Sequence, residues 1–199
     1  MSQLLFDEET HTYTLDGERL PNVTSILDPL NDLWRVPPDI LERARLFGTA
    51  VHKTVEFYEA GDLDEATLDP ALVRVLAQYK EAIRQTGWRV VESELIVYHP
   101  TFRYAGKLDL IVEVPGARRL ALVDVKSGSV TDSAGPQTAA YQKGYEAMER
   151  GAAKIGNRYR LRLTETDYHV DALNDPTDWN IFQSCLNVHT WRKNHGLKS

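Results

Sequence analysis

Cysteine is almost missing from this sequence. Cys185 stands alone among 199 residues, which excludes an internal disulfide and any four-cysteine zinc or iron–sulfur site. A lone thiol in the last helix reads as a small buried apolar group. No run approaches the ~18 apolar residues that a membrane-crossing helix needs, so no membrane contact is expected. Met1 to Leu15 has neither the basic start nor the apolar stretch of a signal peptide, and a cytoplasmic protein is the expectation. Positive charge is also in short supply, with 23 Lys and Arg against 29 Asp and Glu and a formal net charge of −6. That balance argues against a protein that coats nucleic acid by bulk charge. It does not argue against an enzyme that gathers carboxylates around a cation, because the bound metal reverses the sign locally where a phosphate must approach. Repeats, low-complexity tracts and long linkers are absent as well.

What remains is a folded chain, 42% hydrophobic with nine Tyr and four Trp, of a length suited to one domain over 1–199. An N-terminal hairpin and helices are expected over 1–88, a core over 89–164 and a C-terminal helix over 176–193. Phe6, Tyr13, Leu15 and Leu20 alternate loosely around the Asp16-Gly17 turn signal, which predicts the hairpin. From Pro38 to about Ala60, Leu41, Ala44, Phe47, Val51 and Val55 recur at helical spacing. Residues 69–86 give a second amphipathic helix closed by Gly87. Three strand-like runs follow at Arg89–Tyr98, Tyr104–Val114 and Leu120–Val125. A helix is expected from Pro136 to about Arg150, a strand over Asn157–Leu163, and a last helix over Asp178–Lys193 with Trp179, Phe182 and Leu186 inward. The fold class is therefore α/β, a central mixed β-sheet flanked by helices.

The chemistry concentrates around the turn-forming Pro115-Gly116-Ala117-Arg118. If those residues are the loop, Val114 faces Arg119, and stepping back equally along both strands sets Asp109 directly opposite Asp124. Their Cβ atoms would then lie ~4.5–5.5 Å apart. Two carboxylates so close repel by ~3 kcal/mol at an effective dielectric of ~20. A cation removes that penalty. Lys126, two residues beyond Asp124, shares its face. Apolar residues occupy both faces of these strands, so the three charges sit where unpaired ions are expensive. The residues alone also permit a purely structural arrangement, a buried Asp–Lys pair with the second aspartate at a strand end.

Gly106-Lys107-Leu108-Asp109 fits GxxD, Asp124-Val125-Lys126 fits (D/E)xK, Gln137 to Tyr141 fits QxxxY, and Gly48 to His52 precedes them. In this order the motifs resemble the RecB-type branch of the PD-(D/E)XK nuclease superfamily, over roughly residues 45–150. The resemblance implies a restriction-endonuclease-like core and a metal-dependent DNA nuclease. An exonuclease of phage or bacterial recombination and repair is favoured; a site- or structure-specific endonuclease and a catalytically silent binding module are the alternatives. It implies Asp109, Asp124 and Lys126 as catalytic residues. His52, Asp109, Asp124 and the Val125 carbonyl would ligate one or two Mg²⁺ or Mn²⁺ ions. Gln137 and Tyr141, one turn apart on one helix face, would contact the DNA or support the lysine. The cysteine cluster of some RecB-type members is absent, so no iron–sulfur cluster is expected. A homo-oligomer or a recombination protein would be the partner besides DNA.

Several residues stay open at this level. Glu56, four residues after His52, could orient the imidazole or join the metal shell. Glu94 is a further acid whose register against Asp109 is not fixed. Arg103, Lys107, Lys143, Arg158, Arg160 and Arg162 are candidates for gripping phosphate, the last three alternating on one strand face, although a solvated face explains them too.

Overall fold

The computed structural model describes residues 4–31, 35–128, 133–148 and 154–197. Its centre is a five-stranded sheet in the order β4 (Arg89–His99), β5 (Tyr104–Glu113), β6 (Leu120–Ser127), β7 (Ile155–Leu163), β8 (Tyr168–Ala172). Neighbours are antiparallel except β6 and β7, which run parallel. A parallel pair needs a long crossover, and α4 (Ala134–Ala147) lies on it. The expected mixed sheet flanked by helices is what the chain forms.

Two cores lie on the two faces. α2 (Pro38–Ala60) and α3 (Pro70–Thr86) cover one, where Val51, Val55, Leu76 and Tyr79 meet Leu110, Val112, Val123 and Val125. α1 (Val23–Ile26), α4 and α5 (Asp178–Asn194) cover the other, where Val23, Tyr141 and Phe182 meet Leu108, Ile111 and Leu122. β1 (Leu4–Asp7), β2 (Thr12–Leu15) and β3 (Glu18–Leu20) form a separate three-stranded meander. It rests Tyr13, Leu15 and Leu20 on Ala105.

Local chemistry sets the boundaries. Asp69 caps α3 by accepting from the Ala71 N–H at 2.8 Å, a bond worth ~1 kcal/mol, and Pro70 occupies a first-turn position whose N–H would be unsatisfied anyway. Gly61 and Gly87 end α2 and α3 at φ +76° and +67°, a conformation that costs glycine nothing.

Some expectations need correction. Ala44 is exposed, and the first half of α2 up to Leu46 runs clear of the core, so the apolar stripe begins in earnest only at Phe47. α4 starts at Ala134, two residues before Pro136, and its expected end near Arg150 and Gly151 lies outside the described residues. α1, β1 and β8 were not anticipated, being short or rich in polar residues. No helix among the described residues is long and apolar enough to cross a membrane.

Candidate metal centre

The β5–β6 ladder has the anticipated register, with Leu110 opposite Val123, Ile111 opposite Leu122 and Val112 opposite Ala121. It stops one step short of Asp109 and Asp124. There Asp109 takes over the role of the missing backbone acceptor, its Oδ2 receiving the Val125 N–H at 2.6 Å. The other neighbour is irregular at the same level. Glu94 stands between the pairs Ser93–Leu110 and Leu95–Leu108, and its φ of +50° is a left-handed conformation rare for a residue with a long side chain. Leu108 and Leu110, two residues apart, consequently enter opposite cores. Strand alternation slips across Asp109, and the slip turns Asp109 and Glu94 toward α2.

α2 brings the imidazole. Val51 and Val55 are buried against the sheet, which fixes the helix rotation and leaves His52 between them on the neighbouring face. Its Nδ1 lies 3.2 Å from Asp109 Oδ1 and 3.9 Å from Glu94 Oε1. One ligand atom from each of His52, Glu94 and Asp109 falls within 4.8 Å of the other two. Gly48, one turn earlier, stands where an added Cβ would lie 3.4 Å from Ser127 Oγ, so α2 can pass close to the end of β6. Glu56 turns elsewhere, to Lys107 Nζ at 3.7 Å. Lys107 in turn holds the second oxygen of Glu94 at 2.7 Å. Glu94 is thus the acid that sequence spacing could not assign.

Asp124 and Lys126 stand on β6 outside that cluster of three ligand atoms. Lys126 Nζ lies 2.8 Å from Asp124 Oδ1, while Asp124 is 1% exposed and its Oδ2 has no hydrogen-bond partner. Burial pushes the Asp124 carboxyl above its ordinary value, helped by the charge of Asp109 and opposed by Lys126. Burial would raise Asp109 too, but the His52 imidazolium, the Lys126 ammonium and the Val125 N–H hold it below the usual range. The Asp109 charge outweighs burial at His52 and pushes the imidazole up to about 10. Burial opposes the charge on Lys126, yet Asp124 and Asp109 carry its pKa above the ordinary lysine value. Two side-chain cations therefore balance the carboxylates.

The donor set fits a hard divalent cation. Carboxylate oxygens and one imidazole nitrogen are suitable ligands. A buried, unpartnered carboxylate oxygen costs free energy until a cation or proton reaches it. Tyr141 and Gln137 close the wall on the α4 side. Gln137 Nε2 donates to the Tyr141 hydroxyl at 3.0 Å, and burial first, then the charges of Asp109 and Asp124, raise the Tyr141 pKa. An added Cβ on Gly106 would stand 2.5 Å from Tyr141 Cε1, so the glycine of GxxD is where the tyrosine ring crosses β5.

The supposed phosphate grips are largely committed elsewhere. Arg158 is buried, bonded to Asp178, the Gly135 carbonyl and Thr138, and ties α4 and α5 to β7. Arg160 pairs with Asp171 at 2.8 Å, Arg103 with Glu18 at 2.8 Å, and Lys143 lies 3.9 Å from Glu146. Arg162, beside Lys126 in the β6–β7 register, is the member of the group with no recorded partner.

Comparison with known families matches residues 62–187, well over half of the chain, to the model described as the PD-(D/E)XK nuclease superfamily. The match includes Asp109, Asp124, Lys126, Gln137 and Tyr141 and begins after His52. No curated protein matches the chain.

Proposed function

The chain belongs to the PD-(D/E)XK nuclease superfamily, and from that premise we propose that it is a Mg²⁺- or Mn²⁺-dependent deoxyribonuclease of the RecB type. It works from DNA ends, in phage or bacterial recombination or repair. The observation that carries this reading is the convergence of His52 and Glu94 on Asp109, next to a buried Asp124 with one oxygen free and the other on Lys126. The order of the four motifs supports the RecB-type assignment and, through it, the preference for ends.

His52, Asp109, Asp124 and the Val125 carbonyl would hold the metal, with Glu94 beside them. When bound, the cation supplies Lewis acidity toward the phosphoryl oxygen and lowers the pKa of a water. The protein does the rest by position and charge. Val125 N–H fixes one oxygen of Asp109 and leaves the other facing His52. Lys126, held on Asp124, serves as a hydrogen-bond donor to charge developing on the phosphate. Asp124 holds that ammonium in place from two residues away. Gln137 contacts the DNA strand from α4, its side chain held by the buried Tyr141 hydroxyl.

The test compares wild type with Lys126→Ala on linear, nicked and covalently closed circular DNA, with Mg²⁺, Mn²⁺ or chelator. Loss of linear-DNA cleavage on chelation and in the variant is expected, with closed circles intact. Cutting of closed circles removes the end-dependent reading in favour of an endonuclease. Cleavage indifferent to chelator and to the variant removes the catalytic assignment.

A further inference from the structure

Cations in this acidic protein are mostly spoken for. Among the described residues Arg19, Arg118, Arg119, Lys154, Arg162 and Lys193 form no ion pair, and half of them line one groove. That groove, of about 1000 Å³, lies at the opposite end of the sheet from the metal centre, under the start of β4, the β5–β6 loop and the start of β7. It holds Arg118, Arg119 and Lys154 together with Arg89, whose charge is offset by Glu113.

The loop that carries Arg118 and Arg119 is pinned on both flanks where a neighbouring glycine lets it come close. An added Cβ on Gly87 would stand 3.0 Å from Pro115 Cγ, and one on Gly156 would stand 3.0 Å from Arg119 Cβ and 3.3 Å from its Cδ. The stem of Arg119 thus lies across the backbone of β7, and its guanidinium is presented from a fixed base. Three like charges lining one groove make it positive, and a bound polyanion supplies the counter-charge. The groove also connects to the metal centre. β4 is an edge strand that carries Arg89 at the groove and Glu94 at the centre. Val90 to Ser93 between them are exposed or half-exposed. The separation is ~17 Å along the strand, five residues at ~3.4 Å each.

We propose that Arg118, Arg119 and Lys154 form a second DNA-backbone site, which holds phosphates of the substrate away from the one being cut. The proposal rests on the nuclease reading for the identity of the polyanion, but it is tested without hydrolysis. The probe is a fluorescein-labelled duplex of about 24 base pairs, long enough to reach both sites. Its binding is measured by anisotropy in chelator, so that no metal-bridged contact at the centre adds to the affinity and the probe is not cut. Against wild type, the Arg118→Ala/Arg119→Ala/Lys154→Ala variant is expected to bind at least about tenfold more weakly at low salt, with the log K against log salt slope reduced by about 2–3. Arg118→Lys/Arg119→Lys, which keeps the charges, is expected to retain the slope. Circular dichroism and Tm equal to wild type exclude a folding defect, since the three side chains are on the surface. A triple variant with unchanged affinity and slope overturns the proposal even if the wild type cuts DNA. Loss of binding in a protein that cuts no DNA leaves the groove standing and removes the nuclease reading.

Discussion

Replacing Lys126 with methionine isolates what the ammonium does before any catalysis. Asp124 is 1% exposed, one of its oxygens already lacks a partner and the other rests on Lys126 Nζ at 2.8 Å. Lys126→Met leaves both oxygens buried without a hydrogen-bonded counter-charge, which costs about 3–5 kcal/mol in comparable broken pairs. The cost has a sign in pH. The folded pKa of Asp124 lies above its unfolded value of 3.8 in the wild type, and loss of Lys126 raises it further. Below the unfolded value the group is neutral in both states and the penalty vanishes; it grows as pH rises toward the folded pKa and is full above it. Urea denaturation of both proteins in chelator should therefore show a small gap near pH 4 that widens toward pH 8. Asp124→Leu placed on top of Lys126→Met should recover most of the loss, because no buried charge is then left. A gap that is absent, or equal at all pH values, would refute the claim that these two side chains form a buried, mutually dependent pair.

Other expectations follow from the same geometry. In metal-free protein the His52 imidazole should titrate by NMR near 10. Its contribution to stability is complete below its unfolded value of about 6.5 and is lost as pH rises through about 10. The lowered Asp109 adds stability above its unfolded value, lost as pH falls; a His52 midpoint near the ordinary value would contradict the pairing. Metal binding must displace that proton, so calorimetry in buffers of different ionisation enthalpy should show proton release and weaker affinity at lower pH. Glu94→Gln should weaken Mn²⁺ binding by roughly 10–100-fold, whereas Glu56→Gln, which faces Lys107, should change it little. Gly106→Ala should cost ~1–3 kcal/mol by overpacking the Tyr141 ring, read as a lowered Tm.

Much of the architecture was legible because the sequence punctuates it plainly. Gly61, Asp69-Pro70 and Gly87 bound two helices, and Pro115 to Arg118 set a hairpin register that the ladder reproduces at Leu110–Val123. The centre was legible only in outline. Period-two alternation sets Asp109 face to face with Asp124, but the ladder ends one residue earlier and Asp109 bonds a backbone N–H instead. Glu94 was hidden by a register shift between Val90 and Glu92 and by its own left-handed backbone, neither of which composition announces. A signal was there: a carboxylate just before the apolar run Leu95 to Val97, level with Asp109. Arg158, Arg160 and Arg162 do alternate, yet the partners of the first two, Asp178 and Asp171, lie in later elements that spacing on one strand cannot reveal. β8 escaped because Tyr168 to Ala172 is a short edge strand with His169 and Asp171 in it.

Anomalous diffraction from crystals grown with Mn²⁺ tests the central claim most directly. The account predicts a difference peak within coordination distance of His52, Asp109 and Asp124, with Lys126 Nζ nearby. Full Mn²⁺ occupancy elsewhere, with no density among those side chains, would contradict it.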